Sequence, residues 1–142
     1  MQNQDVRTPG PAAGGSDPLL DRFAKVRHEV SRAALASGGD AAEVTLVVAS
    51  KTQGEKELRP LLAAGHRVFG ENRVQEAIAK WPALRAEFPD LELRLIGPLQ
   101  SNKAREAVAF FDVIETIDRP RVAKAIADEI GRQGKAPKLY IE

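Results

Sequence analysis

Strand-like and helix-like segments alternate along this chain, and regular alternation with short connections restricts it to a parallel sheet with right-handed helical crossovers. Five segments read as strands: residues 44–49, 66–70, 91–97, 112–117 and 138–142. The first, almost wholly apolar, has the character of a strand buried on both faces, and the third alternates apolar with polar residues. Between them, apolar residues recur at helical spacing: Leu58, Leu61 and Leu62; Val74, Ile78 and Trp81; Ala104, Val108 and Phe111; Val122, Ile126 and Ile130. Such a pattern fits either an open doubly wound sheet or part of a barrel.

One further helix precedes the first strand. Ser16 or Asp17 can cap it with Pro18 in its first turn, Leu19, Phe23, Val26, Val30 and Ala33 form its apolar stripe, and Gly38-Gly39 stop it. It is expected to cover the end or flank of the sheet. Residues 1–15 are polar and rich in Gly, Pro and Ala without periodicity, so a flexible leader is expected there, with the folded domain over 16–142. Prolines set further expectations. Pro60 is tolerable only in the first turn of its helix, and Pro82 should kink or restart the next one. Gly131 and Gly134 are expected to end the last helix, and Asn72, Asn102 and Asp118 are each placed to act as ordinary helix N-caps.

In either architecture ligands bind at the carboxyl ends of the strands. Those ends are Ser50-Lys51-Thr52, Gly70-Glu71-Asn72, residues 97–103 and Thr116-Ile117-Asp118, all polar. Lys51 stands out. A lysine ending an apolar strand is most often solvated surface, but an amine held at the edge of a core is partly desolvated and favours the neutral, nucleophilic form. Glu71 has a plain alternative as the ion-pair partner of Arg73 or Lys51. His66, at the far end of its strand from this mouth, is expected to be structural.

Several classes of function are disfavoured. A net charge of +1, with acids interspersed among Lys103, Arg105, Arg119, Arg121 and Lys124, gives no nucleic-acid surface. Zero cysteines exclude thiolate chemistry, and no glycine-rich phosphate loop, metal-ligand cluster or serine-histidine-acid arrangement is visible. No apolar run is long enough to span a bilayer, so a cytoplasmic protein without membrane contact is expected.

Three blocks carry a family resemblance: Val47-Val48-Ala49-Ser50-Lys51-Thr52, Phe69-Gly70-Glu71-Asn72-Arg73-Val74-Gln75-Glu76 and Leu95-Ile96-Gly97-Pro98-Leu99-Gln100-Ser101-Asn102-Lys103. In that order and spacing they closely resemble the YggS/PROSC family of pyridoxal 5′-phosphate homeostasis proteins, over about residues 17–142. The resemblance implies an α/β fold of the (β/α)8 TIM-barrel type, like the N-terminal domain of alanine racemase. It implies pyridoxal phosphate held as a Schiff base on Lys51, Asn72 beside the cofactor ring, and Glu71, Gln100, Ser101, Asn102 and Lys103 around them. It also implies binding without catalysis, in the service of cofactor homeostasis, with pyridoxal-phosphate-dependent apoenzymes as possible recipients.

Two departures qualify this. Many members carry histidines where this chain has Arg94 and Pro98, which removes any imidazole role there. A complete barrel takes ~200–250 residues, so this chain is expected to be an incomplete barrel of about five strands from a truncated member, without the late segments that grip the cofactor phosphate in the family. Two alternatives remain. A racemase-like enzyme would need a tyrosine base, and Tyr140 is expected inside a strand; a cofactor-free fragment would retain the motifs without binding.

Overall fold

The computed structural model describes residues 17–142; the expected leader and the capping candidate Ser16 lie outside them. Five parallel strands form one sheet in the order β1-β2-β3-β4-β5: β1 Val48–Ala49, β2 Val68–Glu71, β3 Glu92–Leu95, β4 Val113–Ile117 and β5 Lys138–Ile141. Sequential order, with no reversal, makes the sheet singly wound. A doubly wound sheet, whose strand order reverses at a switch point, is therefore excluded for these residues.

The helices are α1 Pro18–Ala36, α2 Glu55–Ala63, α3 Val74–Lys80, α4 Pro82–Glu87, α5 Ala104–Phe110 and α6 Pro120–Gln133. Pro82 ends α3 and opens α4 as its first residue, because its ring fixes φ and lacks the N–H that continuity would need. Between helices and sheet lies one continuous core of Leu58, Leu62, Phe69, Trp81, Leu84, Leu93, Leu95, Phe111, Ile114 and Ile126, each at most 2% exposed. The aromatic part is a chain of contacts from Phe23 through His66 and Phe69 to Trp81, with centroids 5.0–5.1 Å apart. This chain is how α1 covers the amino end of β2: Leu19, Leu20 and Phe23 pack on the core, whereas Val26 of the expected stripe is exposed. Asp17 caps α1, accepting from the Leu19 N–H at 2.9 Å.

Several local expectations are corrected. The first strand is two residues long, not six, and is not buried on both faces: it lies at a sheet edge, paired only with β2 among the described residues, and Val44 is 48% exposed. A neighbour on one side cannot keep residues 44–47 in a regular ladder. Pro60 sits in the sixth position of α2, beyond its first turn; the carbonyl left without its N–H is that of Lys56, on an exposed turn where water can reach it. Gly131 lies within α6, and only Gly134, at φ 64°, ends it in the left-handed conformation. Asn72, Asn102 and Asp118 are not helix caps. The residues that flank α3, α5 and α6 are Arg73, Lys103 and Arg119, with no side-chain capping bond, and Asp118 pairs instead with Arg119 Nη1 at 2.6 Å.

Candidate functional site

The carboxyl ends of β1 and β2 are tied together by one buried polar cluster. Ser50, the residue after β1, is fully buried; its N–H donates to the Gly70 carbonyl at 2.9 Å, continuing the ladder. Its hydroxyl lies 3.1 Å from the same carbonyl and 3.0 Å from Glu71 Oε1. Glu71 is likewise fully buried, and its Oε1 also accepts from Lys80 Nζ at 2.7 Å and Trp81 Nε1 at 2.8 Å. A buried carboxylate without a partner is strongly unfavourable, and the Lys80 ammonium, its side chain only 14% exposed, supplies that partner. Lys80 Nζ also donates to the Ser50 carbonyl at 2.7 Å. The partner of Glu71 is therefore Lys80, and neither Arg73 nor Lys51.

Above this cluster the strand ends open into a mouth. Asn72 follows β2 and is half-buried, and it is fixed by β3: the loop at Gly97 passes so close that a Cβ there would lie 2.2 Å from the Asn72 carbonyl oxygen. One step below, Ile96 covers Gly70, where a Cβ would lie 2.7 Å from Ile96 Cδ1. An open cleft of about 690 Å³ lies beside Asn72, lined on one side by Arg73 and Gln75 and on the other by Pro98, Gln100 and Lys103. The second and third sequence blocks thus meet across it. Ser101 and Asn102 stand in the 3₁₀ turn Ser101–Lys103 and do not line the cleft.

Lys51 departs from expectation in one respect. It is exposed, in a turn past Ser50, rather than held at the edge of the core. The turn continues through Thr52 at φ 63°, a left-handed conformation that a β-branched residue rarely adopts. Among the described residues the side chains of Lys51, Asn72, Gln100 and Lys103 have no hydrogen-bond or ion-pair partner, whereas every member of the Ser50–Glu71–Lys80–Trp81 cluster has one. Of these four, Asn72, Gln100 and Lys103 line the cleft and Lys51 does not, while the side chains of the cluster beneath are bonded to each other.

Sequence reasoning missed Lys80 as a member of the site and read Trp81 only as an apolar face. Lys80 lies nine positions from Glu71 and 30 from Ser50, and no periodicity links the three. The available signal was a carboxylate ending an otherwise apolar strand, which requires a cation from the helix that follows. On the opposite side of β3, Arg94 lies between Glu115 at 2.8 Å and Glu92 at 3.3 Å, with its guanidinium 6.0 Å from the Tyr140 ring centre. Burial works against the Arg94 charge, but Glu115 and Glu92 outweigh it and leave its pKa raised. Tyr140 lies in β5, as expected, 47% exposed. His66 Nε2 donates to the Val68 carbonyl at 2.7 Å, and its packing between two rings agrees with a structural role. Among the described residues there is no acidic, histidine or cysteine cluster able to hold a metal ion, and no helix long and apolar enough to cross a membrane.

No protein-family model matches the chain. Curated relatives do. The pyridoxal phosphate homeostasis protein of Pseudomonas aeruginosa is 39% identical over 125 residues, covering 87% of this chain and 52% of the relative. The protein of the same name from Escherichia coli K12 is 40% identical over 124 residues, with the same two coverages. Among solved structures, PipY of Synechococcus elongatus with pyridoxal phosphate bound superposes with a TM-score of 0.72 at 40% identity, over 85% of this chain and 52% of PipY. A Bifidobacterium adolescentis protein of unknown function superposes at 0.79 with 28% identity, over 85% and 53% of the two chains. The chain spans about half the length of the curated relatives it matches. Identity at this level over nearly all of the described residues, with the same fold, makes the chain similar to the pyridoxal phosphate homeostasis proteins over about half of their length.

Proposed function

We propose that this chain binds pyridoxal 5′-phosphate at the mouth formed by β1, β2 and β3, and that it contributes to intracellular homeostasis of that cofactor without catalysing a reaction on it. The sheet is then one part of a (β/α)8 barrel, and its singly wound order supports that reading. What supports the proposal is the register: Lys51 and Asn72 directly follow Ser50 and Glu71, the two residues at adjacent strand ends that the buried cluster ties together, and neither side chain has a partner among the described residues.

The residues fit the aldehyde end of the cofactor. Bound there, the cofactor supplies an aldehyde carbon, which a neutral amine joins as a Schiff base with loss of one water. Lys51 Nζ is the amine, and its exposure leaves it reachable from solvent. Asn72 offers an amide donor and acceptor to a ring substituent, with Gln100 and Lys103 across the cleft as further polar contacts and Ser101 and Asn102 shaping the turn behind them. Glu71 acts from below, through Ser50. Recipient apoenzymes in the cytoplasm would then be the partners, and PipY, which is similar and was solved with the cofactor bound, supports the ligand class.

The test is spectroscopic and chemical. Addition of pyridoxal phosphate should give a visible absorption band, and borohydride should fix a pyridoxyl group on the peptide containing Lys51. Equal band and equal labelling in Lys51→Ala would refute the assignment.

A further inference from the structure

We propose that Lys80 is a positioning residue for Lys51: it acts as a strut that holds the turn after β1 in the geometry that presents the Lys51 amine at the mouth. The inference rests on the reading of Lys51 as the cofactor lysine. It assigns a role to a residue that no sequence block contains.

The segment carrying Lys51 has little of its own to hold it. β1 contributes two residues paired on one side, Lys51 is exposed, and Thr52 occupies a left-handed conformation unfavourable for a β-branched side chain. What fixes the turn is the residue before it. The Ser50 N–H and hydroxyl are bonded to β2, and its carbonyl accepts from Gln53 N–H at 3.2 Å, which closes the turn, and from Lys80 Nζ at 2.7 Å. Lys80 is thus bonded to the last fixed backbone group before Lys51 and, through Glu71, to the last strand residue before Asn72. One ammonium therefore sets the separation of the two residues proposed to meet the cofactor. A reacting group displaced by about 1 Å can lose on the order of 10²-fold in rate, so such a strut has a functional consequence beyond stability.

The experiment uses the full chain and its Lys80→Met, Lys80→Arg and Glu71→Gln/Lys80→Met variants. The double variant removes both charges and avoids a buried unpaired carboxylate if Lys80→Met alone does not fold. Each is treated briefly with pyridoxal phosphate and borohydride, and pyridoxyl at Lys51 is measured against that at Lys124, a helix lysine 78% exposed and outside the site. Amide hydrogen exchange at Gln53 is followed in parallel against Leu95 in β3. The expected result is a Lys51-to-Lys124 ratio lowered roughly tenfold in the Met variants and restored by Lys80→Arg, with Gln53 exchange faster and Leu95 unchanged. A folded Met variant with the wild-type ratio and wild-type Gln53 exchange would overturn the strut. If the wild-type protein labels Lys51 no better than Lys124, the cofactor reading fails, and Gln53 exchange still decides the strut by itself.

Discussion

Gly97 and Asn72 are in backbone contact: the Cβ that any other residue would carry at position 97 falls 2.2 Å from the Asn72 carbonyl oxygen and 2.7 Å from its Cα. The obstacle is main chain, which no rotamer change removes. Gly97→Ala should therefore destabilise the fold by about 1–3 kcal/mol, as overpacking does, and displace Asn72. Gly70→Ala meets the half-buried Ile96 side chain, which can turn away, and should cost less. Paired denaturant melts check the order, and equal losses would show that the Gly97 contact is relieved without cost.

The Glu71 carboxylate carries a second expectation. Glu71→Ala leaves the buried Trp81 indole N–H without an acceptor and takes the carboxylate from Lys80 and the Ser50 hydroxyl, which keep only the Ser50 and Gly70 carbonyls. Breaking one side of a buried pair costs about 3–5 kcal/mol, a large share of a small domain's stability. Trp81 is the one tryptophan of the sequence, so its fluorescence reports unfolding directly. A stability within about 0.5 kcal/mol of wild type, the size of an ordinary surface substitution, would remove the cluster from any structural role.

Much of this arrangement was legible in the sequence, and the parts that were not share a cause. The alternation, the capping of α1 by Asp17 and the restart at Pro82 depend on neighbours within one turn, and local chemistry decided them. The second and third motif blocks face each other across one cleft, which brings together Asn72, Gln100 and Lys103, whereas Lys51 of the first block does not line it. The extent of β1 depends on how many strands flank it, and the partner of Glu71 depends on where α3 ends relative to the sheet; neither is a local quantity. The expected caps failed for a similar reason. Asn72 and Asp118 stand one residue before the residues flanking α3 and α6, and a shift of one position removes a cap's reach.

The two lysines near Ser50 should separate cleanly. Lys51 is exposed and unpartnered among the described residues, so Lys51→Ala should change stability by no more than about 0.5 kcal/mol. Lys80→Met leaves Glu71 buried without its cation and should destabilise by several times that amount, about 3 kcal/mol or more. Thermal melts of the two variants without cofactor provide the check. A large loss in Lys51→Ala would mean that this lysine serves the fold.

His66 gives the fold a pH dependence of definite sign. Burial lowers its pKa from the ordinary 6.5, opposed by the hydrogen bond to the Val68 carbonyl and reinforced by the nearby Arg27 and Arg67 charges. The unfolded chain therefore binds a proton at a pH where the folded chain does not, and stability rises with pH through that interval. The contribution is complete above about 6.5 and is lost as pH falls from there through the lower folded-state value. His66→Phe keeps a ring between Phe23 and Phe69 but cannot titrate, so its melting temperature should fall less than that of wild type between about pH 7 and pH 5. Parallel slopes in the two proteins would mean that acid acts elsewhere than on this ring, and that the aromatic chain from α1 to Trp81 is indifferent to protonation.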